Sequence, residues 1–308
     1  MENKFLSIIS SKKTKSMVEK TAAIIFRSCA FMSIIAVISI TGYMLISGTP
    51  ALLKEGFVNI LFKTTWAPTA SQYGILYIIL TSIVGVMLAI LIGVPIGLFT
   101  AVYLAEIANE KARKIVKSAI ELLAGIPSVV YGLLGILIVN PIIYHLELLI
   151  YTGDPSHQFT GGANLLSAII VLAIMILPTL INISETALKA VPDDLRKSSL
   201  ALGASQIQTI FKVVIPAAKN GIMSAIVLGV GRAIGEAMAI LLVAGNAVSL
   251  PLPFNSVRFL TTAIVSEMGY ASGTHRQVLF TIGLVLFVFI MVINLVLTFI
   301  IKKGDQDD

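Results

Sequence analysis

Gly221-Ile-Met-Ser-Ala-Ile-Val-Leu-Gly-Val-Gly-Arg-Ala-Ile-Gly-Glu-Ala-Met-Ala-Ile-Leu-Leu-Val243 is the stretch on which the reading of this chain turns. It is apolar enough for a membrane-crossing helix, which needs ~20 such residues. Arg232 sits near its middle and Glu236 follows four residues later. A charge at bilayer depth costs roughly 2.5–3.5 kcal/mol on insertion scales. Such residues persist where they face a bundle interior or a wet path and find a partner. Positions i and i+4 share a helix face, so the spacing predicts an Arg232–Glu236 pair. Two readings are open here: a transport path, for which a guanidinium suits an oxyanion, or an ion pair that joins helices.

The rest of the composition agrees with a membrane setting. Of 308 residues, 57% are hydrophobic and only 12% are charged, and the mean hydropathy is +0.96. A soluble domain cannot hide that much apolar surface, so the chain reads as an all-α polytopic membrane protein. Spanning runs fall near 28–47, 74–100, 119–143, 165–187, 222–245 and 277–301. The first is longer than the roughly 7–15-residue core of a signal peptide and reads as a retained span. The single cysteine, Cys29, allows no disulfide framework or Cys-based metal site within one chain. His145, His157 and His275 lack ligand spacing and read as structural or solvent-facing.

The net charge of +6 is informative through its placement. With the N-terminus inside, 17 of the 22 Lys and Arg residues fall on inner segments and four on outer ones. That asymmetry predicts six spans with both termini cytoplasmic. The expected divisions are an inner segment at 1–27, a first span and outer loop at 28–73, a transmembrane domain at 74–301 and a tail at 302–308. Pro95, Pro127 and Pro178 predict kinks. Gly93-x-x-x-Gly97 and Gly231-x-x-x-Gly235, continued by Ala239, predict close helix approach. Residues 257–271 read as a short outer helix with Glu267 exposed or lining a mouth.

There is no Gly-x-x-x-x-Gly-Lys-[Ser/Thr] phosphate loop, no His-Glu-x-x-His and no Ser/His/Asp set. An enzyme reading has little support and no cofactor is indicated. The inner loop at 188–221 is the other informative stretch. Pro192-Asp-Asp starts a short helix, Gly203 turns it, and a second apolar stretch runs to Pro216. A cytoplasmic loop this apolar lies against its own bundle or inserts into a partner's groove.

This loop resembles the coupling loop of ABC importer permeases: Glu-Ala-Ala, three residues, Gly, nine residues, Ile-x-Leu-Pro. Lys197-Ser198-Ser199 takes the first triplet, Gly203 and Ala204 follow, and Val213-Val-Ile-Pro216 closes the motif at full spacing. Lys replaces Glu, and Ser-Ser replaces Ala-Ala. Leu123-Ala-Gly-Ile-Pro-Ser-Val-Val-Tyr-Gly, Ser184-Glu-Thr-Ala-Leu, Gly231-Arg-Ala-Ile-Gly-Glu-Ala-Met and Glu267-Met-Gly-Tyr-Ala are similar to phosphate importer permeases of the PstC type. The resemblance implies a six-span MetI-like bundle in a prokaryotic cytoplasmic membrane. It also implies a PstA-type second permease, two PstB-type ATPases and a PstS-type phosphate-binding protein as partners. Lys197, Ser198, Ser199, Gly203, Ala204 and Pro216 would then couple to the ATPases, and Arg232 and Glu236 would line or gate the phosphate path. Another oxyanion, a secondary anion transporter and a structural or sensory subunit are the alternatives.

Overall fold

The computed structural model describes residues 12–304. The start of the expected 1–27 segment and the end of the 302–308 tail lie outside the described residues. Twelve helices are named here: α1 Lys12–Glu55, α2 Phe57–Phe62, α3 Leu76–Ile107, α4 Glu110–Gly125, α5 Ser128–Tyr151 and α6 Leu165–Lys189. They continue as α7 Asp193–Ala201, α8 Gln206–Ala217, α9 Lys219–Gly235, α10 Met238–Val243, α11 Leu260–Glu267 and α12 Gly273–Gly304. Between α2 and α3 a two-stranded antiparallel hairpin pairs β1 Trp66–Ala67 with β2 Gln72–Tyr73.

Among the described residues, five helices are long and apolar enough to cross a membrane: α1, α3, α5, α6 and α12. A bent pair, α8 and α9, which meet at 69° around Ala218, passes the same length and apolarity test only when the two are taken together. Helix α1 has 44 residues. At 1.5 Å per residue it is about 66 Å long, so it reaches well beyond the 28–47 run.

Two expected spans need correction. The run 119–143 joins two elements that the backbone separates. Ile126 is extended (φ −72°, ψ 126°) because the Pro127 ring disfavours a helical residue before it. The amphipathic α4 therefore ends at Gly125, and the crossing is α5, shifted toward the C-terminus. The run 222–245 is also divided. Helix α9 stops at Gly235, Glu236 is extended (φ −74°, ψ 130°), and α10 is a separate short helix.

The core is built around α6, the most enclosed of the crossings. Leu172, Met175, Ile176 and Leu180 of α6 are almost fully buried. Helix α3 approaches closely because Gly93 and Gly97 present no side chain. A Cβ at Gly93 would lie 2.6 Å from Ile176 Cδ1, and one at Gly97 would lie 2.9 Å from Leu180 Cβ. Such small-residue contacts supply packing where burial from water gives no driving force. Two further apolar clusters close the ends of the bundle. One joins Leu104, Ile120, Leu188, Ile210 and Val214. The other joins Ile60, Ile75, Ile78, Leu260 and Leu279 at the hairpin end.

Candidate translocation and coupling site

The loop at 188–221 folds as two short helices and a glycine turn. Asp193 and Asp194 fill the first turn of α7, where acidic groups complement the helix dipole. Gly203 closes it with φ +83° and open space around its Cα. A left-handed residue is needed there, and glycine adopts it without penalty. Ser205 then opens α8 with a capping box: its Oγ accepts from Gln208 N, while Gln208 Oε1 accepts from Ser205 N at 2.9 Å. Ser199 Oγ lies 2.9 Å from Thr209 Oγ1, so the serine that departs from the Ala of the motif clasps α7 to α8.

Arg196 anchors this element to the bundle. Its Nη2 donates to Glu106 Oε1 at 2.7 Å and to Leu188 O at 2.8 Å, and its Nε donates to Glu106 Oε2 at 3.2 Å. The hydrogen bond to Glu106, then the charges of Glu106 and Asp193, hold the Arg196 guanidinium above its ordinary pKa. Gln206 Nε2 donates to Glu106 O as well, at 3.2 Å. The outer face of the element remains apolar: Leu202 is 89% exposed, and Ile207 and Phe211 are more than half exposed. Lys197, Ser198 and Pro216 are exposed beside them, and Ala204 is half-buried.

The expected Arg232–Glu236 bond is absent. The helix ends between the two residues, so they do not share a helical face, and no ion pair joins them. The Glu236 carboxylate turns forward and caps α10: Oε1 accepts from Ala239 N at 2.9 Å. Its carbonyl accepts from Thr261 Oγ1 at 2.7 Å, which pins the break to α11. Arg232 is exposed, with no acidic partner among the described residues. Ser224, Leu228, Gly231, Arg232 and Gly235 form one open stripe along α9.

The predicted close packing at Gly231 and Gly235 is also corrected. A Cβ at either would meet nothing within 4 Å in this chain. Ala239 does pack tightly: it is fully buried, and a Cβ at Gly132 would lie 3.0 Å from its Cα.

Three buried acids have partners that the sequence reading did not give. Glu185 is buried between Lys117 and Lys189. Glu147 is fully buried and accepts from Thr160 N at 3.0 Å and Thr160 Oγ1 at 2.9 Å, with His157 Nε2 at 2.9 Å. Glu267, expected to be exposed or to line a mouth, is only 6% exposed and lines a recess with Tyr73, Tyr270 and His275. It accepts from Trp66 Nε1 at 3.2 Å and Arg258 Nη1, and His275 Nε2 lies 2.7 Å away. Isolated acids near the ends of apolar runs were the available signal, but their partners lie up to 201 residues away in sequence.

The family model described as binding-protein-dependent transport system inner membrane component matches residues 93–306. The probable ABC transporter permease protein YqgH of Bacillus subtilis is 38% identical over 298 residues, which is 93% of each chain. The phosphate transport system permease protein PstC of Pasteurella multocida is 35% identical over 260 residues, 81% of each. Among solved structures, a chain of a bacterial alginate ABC transporter in complex with an alginate pentasaccharide-bound periplasmic protein superposes with a TM-score of 0.62. It is 16% identical and covers 94% of this chain and 96% of that one. A chain of the MetNI methionine ABC transporter in an inward facing conformation gives 0.53 at 21% identity, covering 75% and 94%. At those identities the structures speak to the fold alone.

Proposed function

The chain belongs to the family of binding-protein-dependent transport system inner membrane components, and on that premise we propose that it is the PstC-type permease of an ATP-driven phosphate importer. It is a multi-pass membrane permease subunit of an ABC importer. Phosphate as cargo is our reading, supported by the PstC relatives and by the chemistry of Arg232. The observation that carries it is the open α9 stripe: a guanidinium within an apolar helix, unpaired by any acid among the described residues, on a face this chain leaves uncovered. A second permease subunit opposite that face would enclose a path along which Arg232 meets an oxyanion.

In this reading a binding protein delivers phosphate to the outer surface, and the face of α7 and α8 docks in an ATPase groove at the inner surface. Leu202, Ile207 and Phe211 supply the apolar contact. The Arg196–Glu106 bond passes ATPase movement to the end of α3, and the bend at Ala218 passes it to α9. Glu236 does not weaken the grip of Arg232 by pairing with it. It fixes the helix break that sets where Arg232 stands.

The test is uptake of radiolabelled phosphate by cells in which this chain is depleted and then restored, with sulfate and molybdate as competitors. Phosphate uptake should fall on depletion and return on restoration, and the competitors should have no effect. Uptake of another oxyanion lost in place of phosphate would refute the substrate.

A further inference from the structure

Helix α4 crosses the ends of two spans and keeps one face uncovered. Its inward face is fixed by three attachments. Arg113 Nε donates to Leu104 O at 2.8 Å, at the end of α3. Lys117 Nζ lies 3.3 Å from Glu185 Oε2, near the end of α6. Ile120 is buried in the apolar cluster between them. The C-terminal end runs through Ile126 and Pro127 directly into α5. These contacts hold α4 against the ends of α3 and α6 and the start of α5.

The opposite face carries Lys111, Lys114, Ile115, Ser118 and Leu122, all exposed. Ile115 is 71% exposed and Leu122 73%. Lys111 and Lys114 meet no acid among the described residues, whereas Arg113 and Lys117 are committed to the bundle. The helix therefore divides its basic residues: two hold the protein together and two point away beside large apolar side chains. Glu110 and Glu121 are exposed as well, four residues before Lys114 and seven after it, so they lie along the Lys114 edge of that stripe, whereas the edge formed by Lys111, Ile115 and Leu122 carries no acid.

We propose that this face of α4 is a binding surface for acidic phospholipids of the inner leaflet. An amphipathic helix in the headgroup region buries its apolar side chains at the acyl boundary while its lysines reach the phosphates. Anionic lipids concentrate near such basic groups. Ile115 and Leu122 are the inserted anchors, and Lys111 and Lys114 select a negative headgroup over a zwitterionic one. Because α4 is seated on Glu185 and on the α3 carbonyls beside Glu106, the lipid would act on the same supports that hold the coupling element. The assignment rests on the inward orientation of α4 that the charge asymmetry supports.

The experiment is photocrosslinking in membranes of cells expressing the complete transporter. p-Benzoylphenylalanine is incorporated at Ile115 or at Leu122, and adducts of this chain are identified by mass spectrometry. Lipid adducts are expected, with acidic phospholipids enriched about threefold over their share of the membrane. Lys111→Gln with Lys114→Gln should remove the enrichment while lipid adducts persist. Crosslinks to another polypeptide, or lipid adducts without acidic enrichment, would overturn the assignment. A cysteine at Ser118 in a Cys29→Ala background separates the two premises. Labelling by an impermeant maleimide from outside would overturn the orientation itself. Protection there combined with missing enrichment would overturn the lipid assignment alone.

Discussion

Arg232 stands alone on its face, and that isolation changes what mutations should do. Arg232→Gln removes the charge and most of the anion affinity but touches no contact inside the chain. Phosphate uptake should be abolished while the amount of assembled complex is unchanged. Because Glu236 caps α10 and does not pair with Arg232, Glu236→Gln keeps an acceptor for Ala239 N and should retain substantial uptake. Glu236→Ala removes the cap, at about 0.5–2 kcal/mol, and should lower the yield of the complex. Replacing both residues with Gln should be no better than Arg232→Gln. Recovery of uptake in that double mutant would restore the paired, helix-joining role. At the coupling element, Ser199→Ala removes the bond to Thr209 and should cost about 0.5–1.5 kcal/mol with uptake largely kept. Arg196→Met should cost more, because Glu106 is left half-enclosed without its partner. The identities of Arg232 and Glu236 were legible in the sequence, since charges in an apolar run stand out. Their geometry was not. The i+4 rule assumes a continuous helix, and the tertiary bond from Thr261 to the Glu236 carbonyl fixes a break that local spacing does not reveal.

At the scale of elements, Gly203 is the position where backbone conformation and coupling meet. With φ at +83° and no neighbour within 4 Å of an added Cβ, the obstacle to substitution is conformational and not steric. Gly203→Val should shift the α7–α8 turn, since a β-branched residue strongly resists that region. The protein should still insert in the membrane, and uptake should be lost. Normal uptake at normal expression would remove the coupling role from this turn. The first helix of this loop and its turn could be read beforehand because their signals are local, an acidic start and a glycine; the second helix was read only as an apolar stretch, and its capping Ser205 was missed. The crossing around Pro127 was misread for a related reason. Apolar periodicity ran unbroken from α4 into α5, and only the conformation of Ile126 shows where an interfacial helix becomes a spanning one. Gly93 and Gly97 did meet a neighbour, while Gly231 and Gly235 did not. The same motif thus serves packing inside the chain on α3 and faces away from the chain on α9. A lone sequence cannot tell which, because the difference depends on the helix opposite.

For the whole molecule, hydropathy was enough to give an all-α membrane bundle, because every spanning backbone must satisfy its own hydrogen bonds. The ties across its hairpin end were not legible: Trp66, Arg258 and His275 come from separate stretches and converge on the buried Glu267 carboxylate. The basic asymmetry predicts the orientation. Single cysteines at Ser198 and at Leu252, in a Cys29→Ala background, should be labelled from the inner and outer sides respectively. Labelling of both from outside would end that topology. The proposed function assigns both uncovered faces, the α9 stripe and the apolar face of α7 and α8, to partner subunits. The central claim is that this chain passes phosphate only under the drive of a separate ATPase. It is tested most directly by phosphate uptake into proteoliposomes holding the complete complex, with binding protein outside and ATP sealed inside. Uptake should require both, and should vanish with Arg232→Gln although the complex stays intact. Phosphate uptake that proceeds without the ATPase subunits or without ATP would contradict it.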